Sequence, residues 1–293
     1  MEGAAAEEGA GAVEAKMSLD RVGLSWRPEL AAGILSNLDR VDAVEVIADD
    51  YFDRSVTKVR ALRTLSGQVP VLLHGISQGL ASTVAADRKR LDKLARVAGI
   101  VEPESWSEHL AFVRGGGHEI GHLAAPPRNR NTVEGTCVNL HQARKVVGSA
   151  PMVENIATLI DPPGSDLTEA AWIERIVTAA DCGLLLDLHN LYANGANFGY
   201  DPVAFLERIP CHRVSVVHLA GGRMLPEGRV LDDHLHAVPD AVYDLLSALA
   251  ARAPQPLTVI LERDGNYPRI EQLLAELDRA RLALRAGREV QVA

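Results

Sequence analysis

Cysteine is scarce in this 293-residue sequence: Cys137, Cys182 and Cys211 stand far apart and form no C-x-x-C pair. A zinc ribbon and a disulfide framework are therefore excluded, and the usage suits a reducing cytoplasm. Basic charge is also in deficit, with 30 Lys and Arg against 39 Asp and Glu, a net charge of −9. No general field draws such a chain to nucleic acid or to an anionic membrane. The sequence has no apolar run of the roughly 18 residues that a membrane-spanning helix needs. Its first 17 residues, MEGAAAEEGAGAVEAKM, lack the apolar stretch of a signal peptide and read as a disordered lead. The expectation is a cytoplasmic protein with neither nucleic-acid nor membrane partners.

From Arg21 onward, short apolar, β-prone runs alternate with helix-length stretches. Strands are expected at 21–25, 43–48, 69–74, 106–112, 151–155, 183–188, 214–219 and 257–262. Between them lie helical patterns at 28–38, 54–66, 83–98, 132–148, 168–181, 202–208, 239–252 and 268–286. Near-continuous apolar strands such as VPVLLH and CGLLLDL belong to parallel sheets covered on both faces. Eight strand–helix repeats predict an α/β fold, a single (β/α)8 TIM barrel over residues 18–293. Asp201-Pro202, and Ser82 or Thr83, have the chemistry of helix starts.

Two short motifs point elsewhere. His118-Glu119-Ile120-Gly121-His122 satisfies H-E-x-x-H, which binds zinc only on a helix. Gly115, Gly116 and Gly117 before it, Gly121 within it and Pro126-Pro127 after it argue against that helix. Gly75-Ile76-Ser77-Gln78-Gly79 fits the G-x-S-x-G nucleophile elbow, followed in order by Asp187 and by His218 or His234. A serine hydrolase would leave the polar ends of the other strands without a common purpose. The loop reading is preferred.

Those polar ends are the main signal. Seven apolar segments run into His, Asp, Glu or Asn: His74, Glu108 with His109, Glu154 with Asn155, Asp187 with His189, His218, Asp232 with His234, and Glu262 with Asp264. A parallel barrel gathers such ends at one mouth, and imidazole with carboxylate is the ligand chemistry of borderline and hard metal ions. Asp187 and His189, two apart, are expected on one face of an extended segment, and Asp232 and His234 repeat the spacing. His109 is expected to point away from Glu108 for the same reason.

The segments LLHGIS (72–77), SEHLA (107–111), ENI (154–156), LLLDLHNLYANGANFGYDP (184–202), VHLAGG (217–222), LDDHLHAVPDAVYDLL (231–246) and VILERDGNYP (259–268) resemble, in order, the motifs of the multinuclear non-haem iron-dependent oxidase family. That family was formerly a domain of unknown function and includes the oxidase of methanobactin biosynthesis. The resemblance implies a TIM barrel holding two or three iron ions, mixed Fe(II) and Fe(III), with O2 as co-substrate. It implies oxidation of cysteine residues in a ribosomally made precursor peptide, helped by a small leader-recognition partner protein. Carried over position by position, the metal ligands are His74, Glu108, Asn155, Asp187, His189, His218, Asp232, His234 and Glu262. Asp264 is the residue beside them assigned to catalysis or to support of a ligand. The sequence departs from the family pattern at Ile47, at Asp49-Asp50 and at Phe198. A divalent-metal sugar isomerase or a trinuclear zinc phosphodiesterase on the same barrel would use similar ligands, because a fold does not choose its reaction.

Overall fold

The computed structural model describes residues 20–292. The lead 1–17 read as disordered lies outside the described residues. The strands in chain order are β1 (Arg21–Ser25), β2 (Val44–Ile47), β3 (Val71–Gly75), β4 (Ser105–His109), β5 (Phe112–Gly115), β6 (His118–Ala124), β7 (Met152–Glu154), β8 (Gly183–Asp187), β9 (Val214–Leu219), β10 (Arg223–Met224), β11 (Val230–Leu231) and β12 (Thr258–Leu261). Eight of them close into a parallel barrel in the order β1-β12-β9-β8-β7-β4-β3-β2. These eight are the eight expected strands. β5–β6 and β10–β11 are antiparallel hairpins outside the barrel.

The outer helices form for ordinary reasons. The helix Arg88–Val101 buries Leu91, Leu94, Val97 and Val101 at helical spacing, and the Asp87 side chain caps it by accepting from Lys89 N–H. It starts five residues later than the pattern at 83 suggested, because Asp87 rather than Ser82 or Thr83 is the cap. Asp201 caps Pro202–Leu206 with Pro in the first turn, as expected. At the far end Arg288, 4% exposed, joins the last helix to Asp20 ahead of β1 at 2.8 Å.

One helix was not legible. Leu188–Phe198 follows β8 with no intervening loop, and Asp187 is its N-cap, accepting from Asn190 N–H at 2.6 Å. The expectation of an extended Asp187-x-His189 pair is therefore corrected: His189 sits in the first turn of a helix. This helix carries an asparagine ladder. Asn190 Nδ2 donates to Asn155 O, Asn194 donates to Ile156 O and accepts from Thr158 N–H, and Asn197 makes the same pair of bonds with Val230. Amide side chains thus replace a β-ladder for the loop after β7 and for β11. Asn194→Leu leaves a buried carbonyl and an N–H unpaired. It is expected to lower stability by about 2–4 kcal/mol, read by urea unfolding; a loss below about 0.5 kcal/mol, the scatter of ordinary surface changes, would remove the ladder from this account.

Candidate metal centre

Inside the barrel, Ala43, Leu72, Met152, Leu185, Val216 and Ile260 form a small apolar cluster of their own. Each comes from a different segment of the sheet, and side chains two apart on a strand share a face. The residues two further along are Glu45, His74, Glu154, Asp187, His218 and Glu262. All six are no more than 4% exposed. The pleat therefore stacks a layer of acids and imidazoles directly above a layer of aliphatic side chains.

Three overlapping groups in this layer could hold a metal ion: His74, Glu154 and His218; Glu45, His218 and Glu262; and Asp187, His234 and Glu262. His218 and Glu262 each belong to two groups, so sites for neighbouring ions would share walls. His218 Nε2 lies 2.9 Å from Glu45 Oε1, and its Nδ1 lies 3.1 Å from Glu262 Oε2 and 3.3 Å from Glu154 Oε1. Neither ring nitrogen has a hydrogen-bond partner, nor do both oxygens of Glu45, Oε2 of Glu154 and Oδ2 of Asp187. Buried, unpaired donors of lone pairs converging on one space fit a cation better than any other occupant.

Two imidazoles are aimed by groups behind them. His74 Nδ1 is 2.7 Å from Ser107 Oγ, which leaves Nε2 at 3.2 Å from Glu154 Oε2. His109 Nδ1 donates to the Gly75 carbonyl at 3.1 Å, which leaves its Nε2 at 3.3 Å from the same Glu154 oxygen. Such outer contacts fix the tautomer and ring direction of metal-binding histidines. His109 therefore faces the centre and its strand neighbour Glu108 the other side, as expected of adjacent residues, but it is the histidine and not the assigned ligand Glu108 that points inward.

Without a bound cation the imidazoles carry the compensating charge. Burial opposes protonation of His218, but Glu262, Glu45 and Glu154 outweigh it and raise its pKa well above the usual value. His234 is raised in the same way, burial being overcome by Glu262, Asp232 and Asp264. Burial also opposes His109, yet Glu154 and Glu108 lift it to about 9. Burial would raise Asp232, but bonds from His189 and His234 bring it down to about 2. Burial raises Asp187 well above the carboxylate range, with Asp232 and Glu154 adding to it. Burial would raise Glu262 too, yet His218 and His234 hold it well below.

Of the ligand candidates read from the sequence, His74, Asp187, His218, His234 and Glu262 stand in the three groups; the other four stand outside them. Glu108 turns away from the barrel axis and accepts from Gln78 N–H and His109 N–H at 3.1 and 2.9 Å. Asn155 accepts from Asp187 N–H and donates to Asp187 O, both at 2.9 Å, bridging β7 to β8. His189 reaches Asp232 Oδ1 at 2.8 Å, and Asp232 Oδ2 reaches His234 Nε2 at 2.9 Å. Asp232 and His234 do meet, but across a turn in which His234 has φ of +53°, and not along a strand. Asp264 approaches His234 Nδ1 at 3.1 Å. Glu45 was not singled out in the sequence, and Glu154 was singled out with Asn155 but left out of the carried-over ligand set; both stand in the three groups, and counting two residues on from Ala43 and Met152 is the signal that finds them.

The layer opens into a cleft of about 440 Å³, lined by Arg27, Ile47, His74, Ile76, His109, His234, Glu262 and Asp264 and walled on one side by Val113, Glu119 and His122–Leu123 of the β5–β6 hairpin. The H-E-x-x-H segment is thus an exposed strand, not a helix. No helix follows Ser77 before Arg88, so the nucleophile elbow has no counterpart either.

The model of a known family, described as RiPP precursor modification enzyme MbnB/TglH/ChrH, matches residues 21–285. The chain belongs to that family. Among its relatives, a UPF0276 protein of Caulobacter vibrioides is 32% identical over 281 residues, covering 94% of this chain and 98% of that protein. A UPF0276 protein of Streptomyces avermitilis is 36% identical over 272 residues, 89% of this chain; the chain spans about half, 54%, of that protein's length. Solved structures with the same fold include D-psicose 3-epimerase from Clostridium cellulolyticum, with a TM-score of 0.58 at 12% identity over 92% of this chain and 99% of that one. The IOLI protein with a binding zinc atom has a TM-score of 0.56 at 12% identity over 90% and 96%. Family membership and the buried histidine–carboxylate groups together support a metal-dependent enzyme. No helix among the described residues is long and apolar enough to cross a membrane.

Proposed function

We propose that this protein is an iron- and O2-dependent oxidase that modifies cysteine residues of a ribosomally made precursor peptide, with a small partner protein recognising the peptide's leader. The observation that carries this reading is the set of three ligand groups sharing His218 and Glu262 at the foot of an open cleft. Two or three iron ions there, mixed Fe(II) and Fe(III), would supply a thiolate-binding Lewis acid and the electrons for O2 chemistry. Glu262, a carboxylate common to two groups, would contribute to holding more than one of them.

The chain's own side chains do the rest. His74 and His109 are held with Nε2 toward Glu154 and need no reorganisation to act as ligands. Ile47, Ile76, Val113 and Leu123 give the cleft apolar walls that limit water around a bound cysteine side chain. Glu108 and Asn155, which bind backbone groups, hold the loop after β3 and the β7–β8 junction in place, so their role in this reading is to support the ligands.

Elemental analysis of protein purified without oxygen or chelators is expected to give at least two irons per chain. Zinc or manganese in their place after iron-supplemented growth would overturn the reading and favour an isomerase or phosphodiesterase.

A further inference from the structure

Six of the seven residues in the three ligand groups sit on a barrel strand or directly after one. His234 is the exception, in the loop after β11, with a left-handed backbone that a residue bearing a Cβ adopts reluctantly. Two carboxylates outside the barrel strands hold its ring: Asp232 Oδ2 lies 2.9 Å from Nε2, the nitrogen that would turn to an ion, and Asp264 holds Nδ1 on the other side. Asp264 Oδ2 takes His234 Nδ1 at 3.1 Å, and Asp264 N–H donates to His234 O at 3.0 Å. The Asp264 side chain is itself 41% exposed, and a carboxylate that open to water has no reason to stay on the ring unless it is held.

Arg27 holds it. Its Nε and Nη2 both donate to Asp264 Oδ1, at 2.9 and 2.6 Å, which leaves Oδ2 for the histidine. Its Nη1 donates to Trp26 O at 2.9 Å, so the guanidinium is oriented from two sides. The side chain is 13% exposed and reaches 237 positions along the chain, from just after β1 to the loop after β12. A planar fork with several donors can do this where a lysine ammonium cannot.

We propose that Arg27 is a positioning residue which, by fixing Asp264, sets the His234 ring for the ion held by Asp187, His234 and Glu262. The proposal rests on His234 being a ligand in the reading above. It does not rest on iron, O2 or a peptide.

The test is anaerobic titration of the metal-free full chain with Co2+ alone, following the visible ligand-field bands and the stoichiometry. His234→Ala is expected to lose one binding step. Arg27→Met is expected to weaken that same step by about 10–100-fold, the usual cost of losing an outer partner of a ligand, and to leave the other steps unchanged. Arg27→Lys should fall between Arg27→Met and the unaltered protein. Adding Arg27→Met to His234→Ala should change nothing further, since the two act through one ring. Asp264→Asn, which keeps Oδ1 as acceptor for Arg27 and turns a donor NH2 toward His234 Nδ1 in place of the accepting Oδ2, should reproduce Arg27→Met and serves if that variant does not fold. A purely structural Arg27 would weaken all steps together, or weaken them again in the His234→Ala background, and either result overturns the proposal. So does an Arg27→Met or Asp264→Asn protein that titrates like the unaltered one. A His234→Ala protein with every step intact sinks the ligand assignment itself, which separates that failure from a failure of the positioning role.

Discussion

His218→Ala protein, purified without oxygen or chelators, is expected to retain less iron than His74→Ala protein and to be inactive. The reason is topological: His218 enters two of the three ligand groups and His74 only one. Loss of a direct ligand should weaken binding by more than the roughly 100-fold seen for outer partners, and here the change touches two of the three groups. In the metal-free protein the same change leaves Glu45, Glu154 and Glu262 without the imidazole that lies within 3.3 Å of each. Breaking such a buried cluster costs about 3–5 kcal/mol. Metal analysis with chemical denaturation checks both parts. A His218→Ala protein with the full complement of iron would show that the shared-wall arrangement is not the metal centre.

The second large effect is in pH. Stripped of metal, the protein is expected to lose stability as pH rises from 6.5 through about 9, while the metal-loaded protein changes little over that range. The sign follows from the imidazoles. His109, His218 and His234 are raised in the folded state, so their stabilisation is complete below the unfolded value of 6.5 and disappears as pH climbs through the folded values. For His109, a rise from 6.5 to about 9 corresponds to about 3 kcal/mol at 1.36 kcal/mol per unit. Asp187, also raised, acts in the same direction at lower pH, where its neutral form is lost as pH increases. Glu262 and Asp232 are depressed, so they contribute above the unfolded carboxylate range and lose that contribution only in acid. Urea midpoints of chelator-treated and loaded protein across pH 6 to 10 test this; parallel curves would mean that protonated histidines do not stand in for the cation.

Much of the fold was legible because it is local. VPVLLH and CGLLLDL read as buried parallel strands, and they are β3 and β8 of the barrel. Helix 188–198 was not legible because its sequence, LHNLYANGANF, is full of asparagine and glycine, which have low helix propensity. Tertiary hydrogen bonds from Asn190, Asn194 and Asn197 and the Asp187 cap compensate for it. The strand expected at 106–112 ends at His109, and a hairpin begins three residues on, since Gly115, Gly116 and Gly117 allow a turn that the apolar pattern conceals.

The site divides in the same way. That His74, Asp187, His218 and Glu262 cluster at one mouth follows from apolar runs ending in ligand-type residues, a property of sequence order alone. Which of two adjacent polar residues faces inward depends on the pleat. Glu154 rather than Asn155, and His109 rather than Glu108, share a side with Met152 and Ser107, and only the closed sheet says which side is in. Loop geometry lies further still from the sequence. The turn that brings Asp232 onto His234, and the reach of Arg27 to Asp264 across 237 positions, depend on where the barrel's ends meet, and no periodicity in a single strand encodes that.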